Sequence, residues 1–457
     1  MRFFSVPRRL LRSASAVFLA VGVVAGCSTS TLEITDPDVL NVGDYATSAG
    51  AAPLRLGVIQ DFQNVFSGNA NLENVIVVTG NVSDEMYSTD TFDDRLFPNQ
   101  RAMNENLPAL DAFYRNLHRA RSGATRAITV LKQVAPTPVQ NIGELYAIRG
   151  MTEVFFAETY CSGVPFSEET DAGTQFGEPQ TTTQIYARAL ASFDSALASA
   201  GTDARVQNIA RVGRGRVLIN QGQFDQAAAA VQAVPSSFAW VTAHSTSSVR
   251  QENGMWNALT VANSRYAIVL PDAQGRGEGI NGVAFLTSPA DPRIPWVPST
   301  RTGFNGSSRN LPTQLKYDRT TGAVVANGVE ARLIELEARL RKDTQGDRDA
   351  VFAGLNNLRA TAISPAMAPL AGTAPTSQAE AVTQFFSERA KWLYLTGHRL
   401  GDLRRLIRQY GRSANTVFPT GNLPAPLAGV YGSDVNLPIP FDERNNPKFN
   451  GCIDRNP

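Results

Sequence analysis

The residues able to do chemistry are few and scattered. His118, His244 and His398 stand singly, with no HExxH, no CxxC and no close histidine–carboxylate cluster to supply the three or four ligands of a zinc site. Residues 277–282 read Gly-Glu-Gly-Ile-Asn-Gly, a literal GxGxxG with a short strand-like run, 266–270, ahead of it. Val283-Ala284-Phe285-Leu286 then runs to Pro289 without a helix pattern, so no helix N-terminus is offered to a pyrophosphate and the motif reads as a mobile glycine loop. There is no GxSxG elbow and no P-loop. Asp84-Glu85 and Asp93-Asp94 would serve a glycosidase if two of them flanked one bond at about 5–10 Å. Sequence sets no such separation, and solvated loop acids are the plainer reading. The expectation is therefore a protein without catalytic residues, metal or cofactor, and not an enzyme.

Aromatic residues in irregular segments offer a different chemistry. Sugar rings expose apolar C–H faces that stack on aromatic planes, while amides, acids and arginines bond their hydroxyls. Two segments suit glycan capture: 83–106, with Tyr87, Phe92 and Phe97 among amides and acids, and 256–304, with Trp256, Trp296 and Phe304. Tyr87, Phe92, Trp256, Trp296 and Phe304 are the candidate ligand residues. The competing reading for each is an apolar plug sealing a loop onto the body.

The elements that must position them form a mainly α body. Leu107, Leu110, Phe113, Tyr114, Leu117, Ile128 and Leu131 fall near a 3.6-residue period, and Ile142 to Phe156 continue it after Pro138. A third helix spans 185–197. Gly215, Leu218, Phe224 and Ala227, at intervals of 3, 6 and 3 across Gln221-Gly222-Gln223, have tetratricopeptide spacing, in which small residues let two helices approach. Any helical hairpin would be the alternative. Periodicity fails over about 236–328, where Gly, Pro, Ser and Asn dominate, and returns at 329–340, 350–358, 382–393 and 400–410. The predicted organisation is helical repeats over about 45–235 and 329–410, a loop-rich insert over 236–328, and a tail over 411–457, all one domain from 27 to 457.

With 43% hydrophobic and 18% charged residues in 457, the chain can bury a large core. Its first 26 residues hold Arg2, Arg8, Arg9 and Arg12 and no acid, followed by a short apolar run, 14–24, about half the length of a membrane span. That reads as an export signal. Val24-Ala25-Gly26-Cys27 then looks like a bacterial lipobox, with Cys27 as the acylated residue of a lipoprotein; an ordinary secretory signal is the alternative. Removing residues 1–26 leaves 38 basic against 41 acidic side chains, which excludes charge-driven nucleic-acid binding. The remaining cysteines, Cys161 and Cys452, are expected to bridge the tail to the helical body in an oxidising compartment, two buried free thiols being the other possibility.

In the C-terminal third, Glu388-Arg389, Gly397-His398-Arg399 and Asp402-Leu403-Arg404-Arg405, followed by Leu437-Pro438-Ile439-Pro440, Glu443 and Asn446-Pro447, are similar to the ER…GHR..DLRR signature and closing segment of one family, so that the chain resembles the SusD/RagB family of outer-membrane nutrient-binding lipoproteins. Asp291-Pro292-Arg293, Glu335 within 332–338, Leu355 to Arg359, Gly163-Val164-Pro165 and Ser83-Asp84-Glu85 add matches in the same order. Leu400 and Gly401 replace bulky aromatics and Thr396 a glutamate, which marks a divergent member. The signature has a physical meaning of its own: acid and arginines around Gly397 can set the angle between two helices, so Glu388, Arg389, Gly397, His398, Arg399, Asp402 and Arg405 read as architectural. The resemblance implies a tetratricopeptide-like scaffold, lipid-anchored at the outer membrane and surface-exposed. It further implies that such a protein binds an oligosaccharide or similar nutrient and acts as a lid on a TonB-dependent, SusC-like β-barrel transporter. The alternative is a lipid-anchored scaffold that assembles envelope proteins without a small ligand.

Overall fold

The computed structural model describes residues 47–69, 73–170, 173–261, 263–269, 281–287, 289–423 and 425–457. The export segment, Cys27 and residues 277–280 of the glycine motif lie outside them.

The N-terminal half is a run of antiparallel helices. α1 (Ser48–Ser67) starts at the Thr47 cap, and α2 (Val75–Val82) follows the Asn74 cap, whose side chain accepts from Val77 N. β1 (Met86–Ser88) and α3 (Asp93–Gln100) lead to the long helices α4 (Pro108–Val134) and α5 (Gln140–Thr159). Short strands β2 (Val164–Pro165), β3 (Glu168–Thr170), β4 (Gly173–Gln175) and β5 (Pro179–Gln180) then pair as β2–β5 and β3–β4. α6 (Thr182–Ala198) opens with a capping box between Thr181 and Gln184. α7 (Ala204–Asn220) and α8 (Phe224–Val231) form the hairpin with tetratricopeptide spacing. There a β-carbon on Gly215 would sit 2.4 Å from Val231 Cγ1, so the missing side chain lets the two helices close.

Each helix packs on its sequence neighbours, α4 on α5, α5 on α6, α6 on α7 and α7 on α8. This is the logic of stacked repeats, in which each unit buries the open face of the last. α2 and most of α5 are buried on all sides, which is why their sequences carry no clear polar stripe.

The insert contains β6 (Ala239–Val241), the short helix α9 (Gly254–Thr260), β7 (Tyr266–Ile268), β8 (Trp296–Arg301), β9 (Leu311–Gln314) and β10 (Val324–Asn327). They form two-stranded ribbons only: β1 with β7, β6 with β10, and β8 with β9. β10 runs straight into α10 (Gly328–Leu340), capped by Asn327 Oδ1 on Glu330 N at 2.8 Å. α10 packs directly on α8, so the repeat stack continues across the insert. α11 (Gln345–Thr361), α12 (Gln378–Trp392), α13 (Arg399–Tyr410) and the short α14 (Ala414–Val417) complete the body. The main core accordingly draws side chains from Ala51 to Phe449.

The tail returns to the end of α5. Leu437 N donates to Thr159 O and Cys161 N to Leu437 O, each at 2.9 Å, and Ile453 N donates to Ser162 O at 2.8 Å. Cys161 and Cys452 form a disulfide there, 291 residues apart in sequence with α-carbons 5.9 Å apart.

Candidate functional site: an aromatic pair under an arginine

Phe92 and Phe304 stand 53% and 40% exposed at one end of the β1–β7 ribbon. Their ring centroids are 6.2 Å apart at an interplanar angle of 37°. The guanidinium of Arg265 covers both, 4.0 Å from the Phe304 centroid and 5.4 Å from that of Phe92. Large side chains left this open lose hydrophobic stabilisation, so something holds them there.

That support is a braid of backbone bonds beyond the strands. Thr89 N donates to Arg265 O (2.8 Å), Thr89 Oγ1 to Ser264 O (2.6 Å), Phe304 N to Ser264 O (3.0 Å) and Asn305 N to Thr89 O (2.8 Å). Three segments far apart in sequence are thereby locked in one register. Asp90, 2% exposed, then aims both parts of the site. Its Oδ1 accepts from Thr91 N at 2.6 Å and Phe92 N at 3.1 Å, an Asx turn that launches α3 with Phe92 facing out. Its Oδ2 accepts from Arg265 Nη1 at 2.6 Å and lies 3.5 Å from Arg95 Nε. Asn305 pins the following turn by accepting from Ser307 N and Ser308 N at 3.1 and 2.9 Å.

The arrangement can stack on an apolar face and donate hydrogen bonds at its edge. A guanidinium over a ring is worth about 0.5–1 kcal/mol at an exposed site and leaves its outward N–H groups available. Among the described residues no cluster of three or more His, Cys, Asp or Glu is placed to hold a metal ion.

Of the five aromatic residues singled out by sequence, the structure brings Phe92 and Phe304 together. Tyr87 requires correction: it is only 5% exposed, because Ala267, Val269 and Leu311 pack against it in a small cluster. Trp256 lies half-buried on α9 beneath Arg319, and Trp296 packs on the main core. No ring contact among the described residues joins either indole to the pair. Arg265 and Asp90 escaped the sequence reading. The run Asp90-Thr91-Phe92 ahead of Asp93-Asp94 was the available sign, since Asx turns precede helices.

Asp84 and Glu85 are also not solvated loop acids. Both are buried, and Asp84 takes a bidentate grip from Arg399, Nε to Oδ1 at 2.6 Å and Nη2 to Oδ2 at 2.8 Å, while Oδ2 also accepts from Val283 N at 2.8 Å. The other signature residues are buried in the same manner. Arg293 and Arg359 donate to Glu388 at 2.7 and 3.0 Å. Asp402 accepts from Arg389 at 2.8 Å and Arg405 at 2.7 Å, and Arg405 also pairs with Glu337. Burial pushes the Asp402 carboxyl up, but Arg389 and Arg405 outweigh it and hold it far below the usual range. His398 Nε2 lies 3.0 Å from Glu330 Oε1 and 2.9 Å from Arg216 Nη1, and Arg216 grips Glu158 from α5. Gly397 adopts φ +74°, and a β-carbon there would approach Val75 Cγ1 to 2.9 Å. These residues tie α2, α5, α7, α10, α12 and α13 together and present no reactive group to solvent. The buried acids of α10 are Glu330 and Glu337; Glu335 pairs with Arg332 near the surface.

The helical repeats thus carry a loop-borne, solvent-facing ring pair. The fold is similar to those of solved SusD superfamily structures. A SusD superfamily protein from Bacteroides vulgatus is 14% identical, with 89% of this chain and 98% of that chain covered at a TM-score of 0.61. A laminarin binding SusD-like protein is 14% identical over 89% of this chain and 99% of its own, at 0.60. Surface glycan-binding protein A from Bacteroides uniformis is 15% identical over the same shares, at 0.62. No family model matches the sequence, and no curated protein matches it.

Proposed function

We propose that this chain is a divergent SusD/RagB-type glycan-binding lipoprotein, a single domain over 27–457 with 1–26 as its signal peptide. Cys27 carries the lipid that anchors it to the outer membrane, surface-exposed. It takes an oligosaccharide or polysaccharide fragment and delivers it, without catalysis, to a TonB-dependent, SusC-like β-barrel. The observation that carries the reading is the exposed Phe92–Phe304 pair under Arg265, braced by Asp90 on a SusD fold. The glycan- and laminarin-binding names of the similar structures support the same ligand class. Trp256 and Trp296 would join the ligand only as secondary contacts.

The test is binding of laminarin and other glucans to the purified chain by affinity electrophoresis and calorimetry. Phe92→Ala combined with Phe304→Ala is expected to weaken binding at least tenfold, since each stacked aromatic contributes about 1 kcal/mol or more. Wild-type affinity in that variant would refute the platform.

One observation favours the scaffold alternative. A groove of about 1110 Å³ runs between α12 and α13, lined by Val382, Thr383, Tyr410 and Arg412 among others. Crosslinked pull-down from native membranes separates the readings: a stoichiometric TonB-dependent barrel supports delivery, and other envelope proteins without a barrel support assembly.

A further inference from the structure

A second concave surface lies where α1, α4 and the 249–251 turn meet. It is a polar cleft of about 360 Å³, within the roughly 300–1,000 Å³ range of ligand pockets. Asp61 and Asn64 reach it from α1, Asn116 and Arg119 from α4, Glu73 from the segment ahead of α2, and Arg250 from the insert. Asp61, Asn116, Arg119 and Arg250 make no side-chain hydrogen bond to any described residue. Among the described residues Asn64 uses only its carbonyl, accepting from Gln60 at 2.9 Å and Asn69 at 3.1 Å, and its amide hydrogens meet no acceptor there.

The charge balance selects the occupant. Two guanidinium groups oppose a cation, and two carboxylates oppose a phosphate or sulfate. What remains is a neutral ligand that both donates and accepts at many points, and a hydroxyl does both. Burial pushes the carboxyls of Asp61 and Glu73 above their usual values, with Arg119 and Arg95 pulling the other way. Hydrogen bonds made in such partly desolvated places are stronger than in open water.

The cleft is also wired to the ring pair. Glu73 Oε1 accepts from Arg95 Nε at 2.7 Å, Arg95 lies 3.5 Å from Asp90, and Asp90 holds Arg265 over Phe92 and Phe304. We infer that this cleft is a polar subsite for the hydroxyl groups of a sugar residue, adjoining the aromatic platform through Glu73, Arg95 and Asp90. The inference rests on the glycan-binding reading above.

The probe is a series of laminari- and malto-oligosaccharides of about two to seven units, offered to the full chain in detergent. Hydrogen–deuterium exchange follows 61–69 and 116–119 for the cleft, and 89–92 and 301–308 for the platform; calorimetry gives affinities. Binding is expected to protect both sets. Asn116→Ala with Arg119→Ala, on the solvent side of α4, should weaken the longest bound oligosaccharide about tenfold and leave the shortest unchanged, as loss of two hydrogen bonds implies. Protection of the platform alone, with wild-type affinities in the cleft variant, overturns the subsite and leaves the glycan-binding reading standing. Protection of the cleft alone supports the subsite and removes the platform. No protection of either set by any member of the series overturns the subsite together with the reading it rests on.

Discussion

Replacing Glu85 by Gln should make this protein more stable at neutral pH, and the gain should vanish on acidification. Glu85 is 1% exposed; its Oε1 accepts from Leu395 N at 2.9 Å, and its Oε2 has no partner among the described residues. Burial pushes its carboxyl from 4.5 up to about 8, Asp84 adding to the push while the Leu395 N–H, Arg399 and Lys316 oppose it. The phenols of Tyr317 and Tyr394 nearby stay neutral, because burial raises both. A carboxyl whose folded value is raised stabilises fully below about 4.5, and that contribution is lost as pH rises through 8. The slope is about 1.4 kcal/mol per pH unit, so at pH 7 the unfolded chain gains about 3 kcal/mol by ionising Glu85 while the folded chain keeps it neutral. Glutamine preserves the acceptor for Leu395 N and cannot ionise. Lys316, which burial lowers from 10.5 to about 8, contributes its own slope only above pH 8 and so leaves this window clean. Urea unfolding followed by far-UV circular dichroism at pH 5, 6 and 7 should show the variant's advantage growing from about 1 kcal/mol through about 2 to about 3 kcal/mol. For some 400 residues this corresponds to roughly 3–4 °C in Tm at neutral pH. A variant less stable than wild type at pH 7, or a gap that does not change with pH, would refute the argument.

Three further outcomes follow from the buried interactions. Arg405→Ala leaves Glu337 and Asp402 without their shared guanidinium in the interior and should cost about 3–5 kcal/mol in unfolding experiments; a loss under 1 kcal/mol would mean that the ion pairs are dispensable. Gly397→Ala forces a side chain into φ +74° against Val75 and should lower stability by about 1–3 kcal/mol, whereas an unchanged melting curve would show that the helix junction adapts. Reducing the Cys161–Cys452 bridge should cost about 2–5 kcal/mol and expose the 437–454 strap to protease, and an unaltered cleavage pattern would show that the backbone bonds to Thr159 and Ser162 suffice.

The helices were legible because their signals are local. Periodicity at Leu107 to Leu131 and the Gly215–Ala227 spacing place α4, α7 and α8 within a few residues of their observed limits. The irregular insert was legible by its loss of period, and the architectural cluster by its resemblance. The ring pair was half legible. An exposed Phe92 and a buried Tyr87 look alike in sequence, since Tyr87 is covered by Ala267, Val269 and Leu311, and its strand partner Ala267 lies 180 residues away.

Composition, periodicity and caps therefore determined a helical-repeat body with an irregular insert, because each acts over one or two turns of chain. Partner choice belonged to the tertiary structure. Asp84 meets Arg399 across 315 residues, and Arg265 finds Asp90 across 175. A carboxylate's neighbours are set by where distant segments pack, and only that packing turns Asp84 into a clamp on Arg399, Asp90 into the brace of Arg265, and Phe92 and Phe304 into an exposed pair beneath it.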